Sequence, residues 1–289
     1  MKILLIANPA AGTFKKAHLD KVTNYLSEKG AKVTVMLTQK GGDATTFAAN
    51  VKKGEYDVVT AYGGDGTLNE VINGLAEKDT PLGLIPAGTV NVFALETKIP
   101  FNQIKACDVI LKNNVVSINL GRADDKYFVL MVSAGFDAHV AYNIHGGLKS
   151  LFGKMGFVLH GIYLLIFYRF PKIKITADGE THYGYTVIIS NMKLYAGNLY
   201  ITENASFYNN DFEICILKNK GVVSVVKFLI SIVLNRHHKN KALSFIKAKD
   251  LKLECDSDCC IQVDGDGHGR LMNRIEIVEN ALKVVIPET

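Results

Sequence analysis

The chain lacks the devices that staple small secreted domains. Its five cysteines are an odd number without framework spacing, which excludes a disulfide scaffold and predicts free thiols in a reducing cytoplasm. Cys255, Cys259 and Cys260 cluster, but no second ligand pair stands at matching spacing. A zinc site is therefore not expected there, and two hairpin strands meeting is. No secretory leader is read at the start: Met1 to Ala7 is apolar but turns at Asn8-Pro9, too soon for a leader core. A membrane span is not expected either. The apolar stretch 148–170 is interrupted by Lys149, Lys154 and His160 and weakened by Gly153, Gly156 and Gly161. It reads as a helix packed on a second domain, or as one walling an apolar pocket or touching a bilayer, with Lys149, Lys154 and Arg169 near lipid phosphates. Lys and Arg read as scattered, which excludes a nucleic-acid footprint. There is no internal repeat and no low-complexity linker.

What the chain has is enough apolar content for a sizeable core. Its 289 residues are 48% hydrophobic, which allows one large or two modest domains. A net charge of +5 suits anionic nucleotides or an anionic membrane surface.

The sequence is organised around Tyr62-Gly63-Gly64-Asp65-Gly66-Thr67-Leu68-Asn69-Glu70. An apolar run, Tyr56 to Ala61, leads in; a helical pattern, Leu68 to Lys78, leads out. Three glycines remove Cβ bulk, so main-chain N–H groups can close on an anion at the start of a helix. Asp65 adds a carboxylate, which points to Mg²⁺ carried with a nucleotide rather than to phosphate alone.

Upstream, strands at Lys2–Ala7 and Lys32–Leu37 alternate with helices at Lys16–Lys29 and Ala44–Lys53. Another strand, Pro81–Ile85, ends in Pro86-Ala87-Gly88-Thr89. This alternation predicts an α/β doubly wound parallel sheet, with ligands beyond the carboxyl ends of its strands. The loops Asn8–Gly12, Thr38–Asp43, Gly63–Thr67 and Pro86–Asn91 all lie at that edge.

Beyond about Val115 the pattern becomes β-rich, which predicts a C-terminal sandwich. Expected strands include Val115–Leu120, Tyr127–Val132, Ile173–Ala177, Thr186–Ser190, Phe212–Leu217, Leu251–Cys255 and Cys260–Asp264. Arg274–Val278 and Leu282–Ile286 read as a closing hairpin about Glu279-Asn280. The division is placed at 1–118 and 119–289. Val222–Leu234 reads as an apolar helix whose basic end, Arg236-His237-His238-Lys239, complements its dipole. Asp264-Gly265 alone reads as a hairpin turn pair.

Pro86-Ala87-Gly88-Thr89-Val90-Asn91, Asn8-Pro9-Ala10-Ala11-Gly12, the glycine loop and Val263-Asp264-Gly265-Asp266 together closely resemble bacterial diacylglycerol kinase-like lipid kinases. The motif order covers essentially the whole chain. NAD kinases share the glycine loop but not the Pro-x-Gly-Thr-x-Asn segment. The resemblance implies an ATP-dependent kinase acting on a lipid hydroxyl, on an NAD kinase/diacylglycerol kinase-like fold. It implies that Asn8, Pro9, Ala10, Ala11, Gly12, Thr38, Gly63, Gly64, Asp65, Gly66, Thr67, Leu68, Asn69 and Thr89 hold ATP. Asp65 would act with Mg²⁺, and Asp264 or Asp266 would take the hydroxyl proton. It also implies a cytoplasmic enzyme touching the inner face of a membrane; a homodimer through paired strand edges is allowed. Departures remove acids: Val92 and Asn119 stand where relatives commonly carry carboxylates, Asp266 shortens a glutamate, and Asn209 replaces an acid of a structural Mg²⁺ turn. Asp137, after a strand typical of the family, is a further candidate for the cleft. The rival readings are an NAD kinase-like small-molecule kinase and an inactive nucleotide- or lipid-binding regulator.

Overall fold

The computed structural model describes residues 1–143, 163–256, 259–268 and 274–288. Lys149, Lys154 and His160 lie outside the described residues.

The first layer is built from β1 (Lys2–Ala7), α1 (Lys16–Glu28), β2 (Lys32–Leu37), α2 (Asp43–Ala49), β3 (Val58–Gly63), α3 (Asp65–Leu75) and β4 (Leu82–Pro86). The strands are parallel in the order β2-β1-β3-β4. Helices on both faces explain why β1 and β3 are continuous apolar runs: every residue of β3 is buried. α1 turns Leu19, Val22 and Leu26 inward at helical spacing. α2 stops at Ala49, four residues before its expected end, and the chain turns through Lys52–Glu55 instead. Before β5 two helices escape the sequence reading, α4 (Val92–Glu96) and α5 (Gln103–Lys112). The second is capped by Asn102, whose Oδ1 accepts from the N–H groups of Ile104 and Lys105.

The rest forms a β-sandwich. In chain order come β5 (Val115–Ala123), β6 (Lys126–Phe128), β7 (Met131–Gly135), α6 (Phe136–Asn143), β8 (Ile173–Ala177), β9 (Glu180–Gly184) and β10 (Thr186–Ser190). There follow β11 (Leu194–Ala196), β12 (Leu199–Tyr200), β13 (Phe212–Leu217), α7 (Val222–Val233), β14 (Leu243–Ala248), β15 (Asp250–Cys255), β16 (Ile261–Val263), β17 (Asp266–His268) and β18 (Arg274–Val285). One face is the sheet β14-β13-β10-β7-β16-β17; the other is the antiparallel extension of the first sheet through β18, β15, β8 and β9. Alternation sorts the side chains: Phe212, Ile214 and Ile216 of β13 enter the sandwich core, whereas Cys215 and Leu217 face the first core. The stacked rings of Phe128 and Phe212, 5.6 Å apart, sit at the centre of the sandwich. Each such buried side chain contributes about 1.5–3 kcal/mol.

Three expectations are corrected. The stretch Tyr127–Val132 is not one strand: β6 and β7 belong to different sheets, and the chain breaks at Val129-Leu130. Glu279-Asn280 is not a hairpin turn. β18 runs straight through it along β5, with a register shift between Val278 and Leu282. Asn280 is left-handed at φ 52° and gives its N–H to Asn119 Oδ1 (2.8 Å). A bulge and a tight turn ask for the same residue, so the sequence signal is shared. The cysteine cluster is not a hairpin either, because β15 and β16 lie in opposite sheets. His237 is buried beside His238 and Tyr200.

β18 ties the two layers. Near its start it pairs with β15, near its end with β4 (Val284 opposite Leu82), and along most of its length with β5. The expected boundary at 118/119 falls inside β5. Among the described residues no helix is long and apolar enough to cross a membrane.

Candidate nucleotide and acceptor site

The strand order reverses between β1 and β3, and the glycine-bearing loops meet at that switch point. They meet main chain to main chain. A Cβ on Gly88 would stand 2.5 Å from Gly64 Cα and 2.6 Å from Asn91 Oδ1. One on Gly12 would stand 2.9 Å from Thr89 Oγ1. Hydrogen bonds stitch the loops. Asn8 Nδ2 donates to Thr67 Oγ1 (3.0 Å) and Asn8 Oδ1 accepts from Ala10 N–H (2.9 Å). Thr13 gives both N–H and hydroxyl to the Ala87 carbonyl. Asn91, left-handed at φ 53°, clasps Gly88 with its side-chain amide at 3.0 Å on both sides.

Pro9, Ala10, Gly12, Gly66 and Thr89 are exposed at this edge; Ala11, Gly64, Asp65 and Asn69 are half-buried, and Thr38 follows β2 beside the end of β1. Gly63 closes β3 and is buried. α3 begins inside the loop with Gly64 as its N-cap and no side-chain cap. Its first N–H groups, those of Asp65, Gly66 and Thr67, therefore have no helical acceptor and present a positive end to the edge. Leu68 does not face this edge: its side chain is 1% exposed in the core and its N–H bonds the Gly64 carbonyl.

Asp65 points across the loops. Its carboxylate accepts from the N–H groups of Val92 (3.1 Å) and Phe93 (3.4 Å), so it caps α4. Burial pushes its pKa up, against the pull of those amides. Among the described residues no group of three His, Cys, Asp or Glu side chains is placed to hold a metal by itself. One carboxylate beside an anion-binding edge suits a cation that arrives on phosphates and keeps its waters.

The late motif is both a turn and a site. Asp264 and Gly265 are left-handed at φ 48° and 89° between the paired Val263 and Asp266, the geometry of a tight hairpin. The Asp264 carboxylate is turned inward. Oδ2 accepts from Asn69 Nδ2 (2.7 Å) and Val129 N–H (2.8 Å). Oδ1 accepts from Leu130 N–H and Met131 N–H, both at 2.9 Å. These four donors fill its acceptor sites. Burial nevertheless pushes its pKa up to about 6. The break in the expected strand 127–132 is thus explained, since those amides serve a carboxylate instead of a ladder. Asp266, by contrast, is exposed at the start of β17.

One helix residue beside this turn was not singled out from sequence. Asn73, one turn beyond Asn69, exchanges two 2.9 Å bonds with the Tyr127 main chain. The amide pattern Asn69-x-x-x-Asn73 on the glycine-loop helix was the available signal. Asp137 is buried and accepts from Ser133 Oγ and the Tyr195 hydroxyl; burial pushes its pKa up. Asn119, 5% exposed, donates to the Asn209 carbonyl (2.9 Å) and Asn210 Oδ1 (3.1 Å) and accepts from Asn280 N–H. Amide N–H groups aimed at the 209–210 turn do not fit a structural cation there. A depression lined by Met1, Lys29, Gly30, Ala31, Asp57, Leu111 and Asn113 lies at the opposite, amino end of the strands and takes no part in this site.

Residues 2–123 match the diacylglycerol kinase catalytic domain, and residues 130–286 match the YegS C-terminal NAD kinase beta sandwich-like domain. The diacylglycerol kinase of Staphylococcus saprophyticus is 30% identical over 289 residues, covering 98% of this chain and 94% of that protein. The diacylglycerol kinase of Bacillus subtilis is 29% identical over 293 residues, covering 98% and 96%. The crystal structure of a diacylglycerol kinase from Bacillus anthracis superimposes with a TM-score of 0.80 at 24% identity, over 99% of this chain and 97% of that one; it shares the fold.

Proposed function

The chain belongs to the diacylglycerol kinase family and is a lipid kinase, and from that premise we propose that it transfers the γ-phosphoryl group of ATP to a hydroxyl of diacylglycerol or a closely related lipid. The observation that carries this reading is the contact of Gly64 with Gly88 beside the uncapped start of α3. Such an edge offers main-chain N–H groups and no side-chain bulk to a polyphosphate.

In this proposal residues 1–118 grip ATP through Asn8 to Gly12, Thr38, Gly63 to Thr67, Asn69 and Thr89, and residues 119–289 hold the lipid. Mg²⁺ borne on ATP would lie toward Asp65 and neutralise charge on the phosphates. Transfer forms a bond from the lipid oxygen to the γ-phosphorus and breaks the bond to the β–γ bridging oxygen. The hydroxyl proton needs an acceptor. Asp264 suits this role, with a pKa near 6 close to working pH. Three of its four donors are fixed main-chain amides. The fourth is the Asn69 side chain, which can turn away. The lipid hydroxyl would replace it. Closure of the two layers would keep water, the competing acceptor, out.

The test is transfer from labelled ATP to a panel of dispersed diacylglycerol, monoacylglycerol, ceramide and NAD. Diacylglycerol should be preferred, and Asp65→Asn should lower turnover about 100-fold without unfolding the protein. Transfer to NAD, or to no lipid at all, defeats the proposal.

A further inference from the structure

α7 presents an apolar face that stands exposed and that no described residue covers. Val225, Phe228 and Ile232 pack inward, yet Val223 is 67% exposed, Ile230 53%, Val233 68% and Leu234 58%. Its polar residues, Ser224, Lys227 and Ser231, share one narrow strip between those faces. A helix apolar nearly all round belongs in a core or a membrane, and this one has a core on one side only. At 12 residues it is about 18 Å long and cannot cross a bilayer core of about 30 Å.

The charge around it is equally one-sided. Residues 214–249 contain eight Lys and Arg and no Asp or Glu. The remaining chain carries 25 Lys and Arg against 28 Asp and Glu, so the protein's whole positive balance sits here. Basic residues are therefore not scattered, contrary to the first reading of the sequence. Lys218, Lys220, Lys227, Arg236, Lys239 and Lys241 are exposed, and among the described residues none of them forms a salt bridge. The helix dipole accounts for Arg236 and Lys239 at its carboxyl end. It cannot account for Lys218 and Lys220, which precede the amino end, where positive charge is unfavourable. Those two stand exposed and are open to an anion outside the protein.

We propose that α7 is a docking element that lies in the plane of an anionic phospholipid bilayer, its outer face among the upper acyl chains and the flanking cations on lipid phosphates. This rests on the lipid-kinase reading only for the reason to be at a membrane. The inner face of α7 shares its apolar cluster with Phe207, whose ring lies 6.5 Å from Phe93 of α4, the helix capped by Asp65.

The experiment is sedimentation of the full chain with vesicles of phosphatidylcholine, alone or mixed with phosphatidylglycerol. The parent should bind the mixed vesicles and not the neutral ones. Ile230→Glu/Val233→Glu should weaken binding by about tenfold or more. Lys218→Gln/Lys220→Gln, which touches no buried side chain, should weaken it about fivefold per cation, an effect that vanishes at high salt. Equal binding to both vesicles, or unchanged binding by the glutamate variant, overturns the proposal. So does a dimer that Ile230→Glu disperses while vesicle binding is retained, because the face would then belong to a second copy. Transfer to a short-chain acceptor in detergent is measured in parallel. A parent that binds mixed vesicles but phosphorylates nothing removes the kinase chemistry and leaves the docking face supported.

Discussion

Gly64 and Gly88 touch because neither has a side chain; Asp264, bonded to Asn69 of the helix that Gly64 opens, is held because it has one with every acceptor site occupied. The glycine-loop edge is made by subtraction. Small residues and an uncapped helix start leave main-chain donors for a ligand. The Asp264 turn is made by saturation. One carboxylate gathers a helix side chain and three consecutive amides, and fixes how the sandwich meets the first layer. The two regions should therefore fail in opposite ways. The edge should tolerate no added atom and the knot no removed acceptor, and four measurements separate them.

The largest effect is expected at the knot. Asp264→Asn places a donor against main-chain amides, so it should cost about 2 kcal/mol of stability and lower turnover about 1,000-fold. Asp266→Asn, at an exposed carboxylate, should leave turnover largely intact. A reversed ranking would move the proton acceptor two residues along. Next, Gly88→Ala forces Gly64 and Asn91 apart, so the melting temperature should fall, and kcat/KM for ATP of the folded fraction should fall about 100-fold while its vesicle binding changes little. A drop in vesicle binding would show that the edge and the docking surface are not independent.

The third measurement is stability against pH. The folded pKa of Asp264 is raised to about 6 from the ordinary carboxylate value. Its stabilising contribution is thus fully present below about pH 4 and is lost as pH rises through about 6, a swing of about 3 kcal/mol. Asp264→Asn should be flat across that window. If parent and variant slope alike in urea titrations, the carboxylate is not the group responsible. The smallest effect is Asn69→Ala. Losing one donor should cost about 1 kcal/mol and move the upper end of the pH window higher, since a hydrogen bond to the charged form is removed.

The edge was legible in the sequence and the knot was only half so. β1 and β2 have the bounds read from their apolar runs, and the glycine loop stands between a strand and a helix as its pattern demands. Local chemistry suffices there, because a buried parallel strand and a glycine turn are written in contiguous residues. The sandwich depends on partners far along the chain. Nothing in Tyr127–Val132 says that the strand must break, because the reason, Asp264, lies more than 130 residues away. The same holds for Asn119, which reads as a lost acid yet serves as an amide hub for the 209–210 turn and Asn280. Leu68 was grouped with the ligand residues by motif position alone, and its helix phase turns it into the core. Lys218 and Lys220 look ordinary one at a time; their meaning appears only beside the uncovered face of α7.

β18 has a consequence for how the protein is made. Val284 lies against Leu82, so β4 has a bare flank until nearly the entire polypeptide has left the ribosome. An unpaired edge in an apolar sheet invites pairing with other chains. Synthesis at about 5–20 residues per second leaves that flank open for some ten seconds or more, and a chaperone or a rapid provisional partner has to guard it. Translation stalled late in the message would thus release a species with an almost finished nucleotide layer and one sticky border.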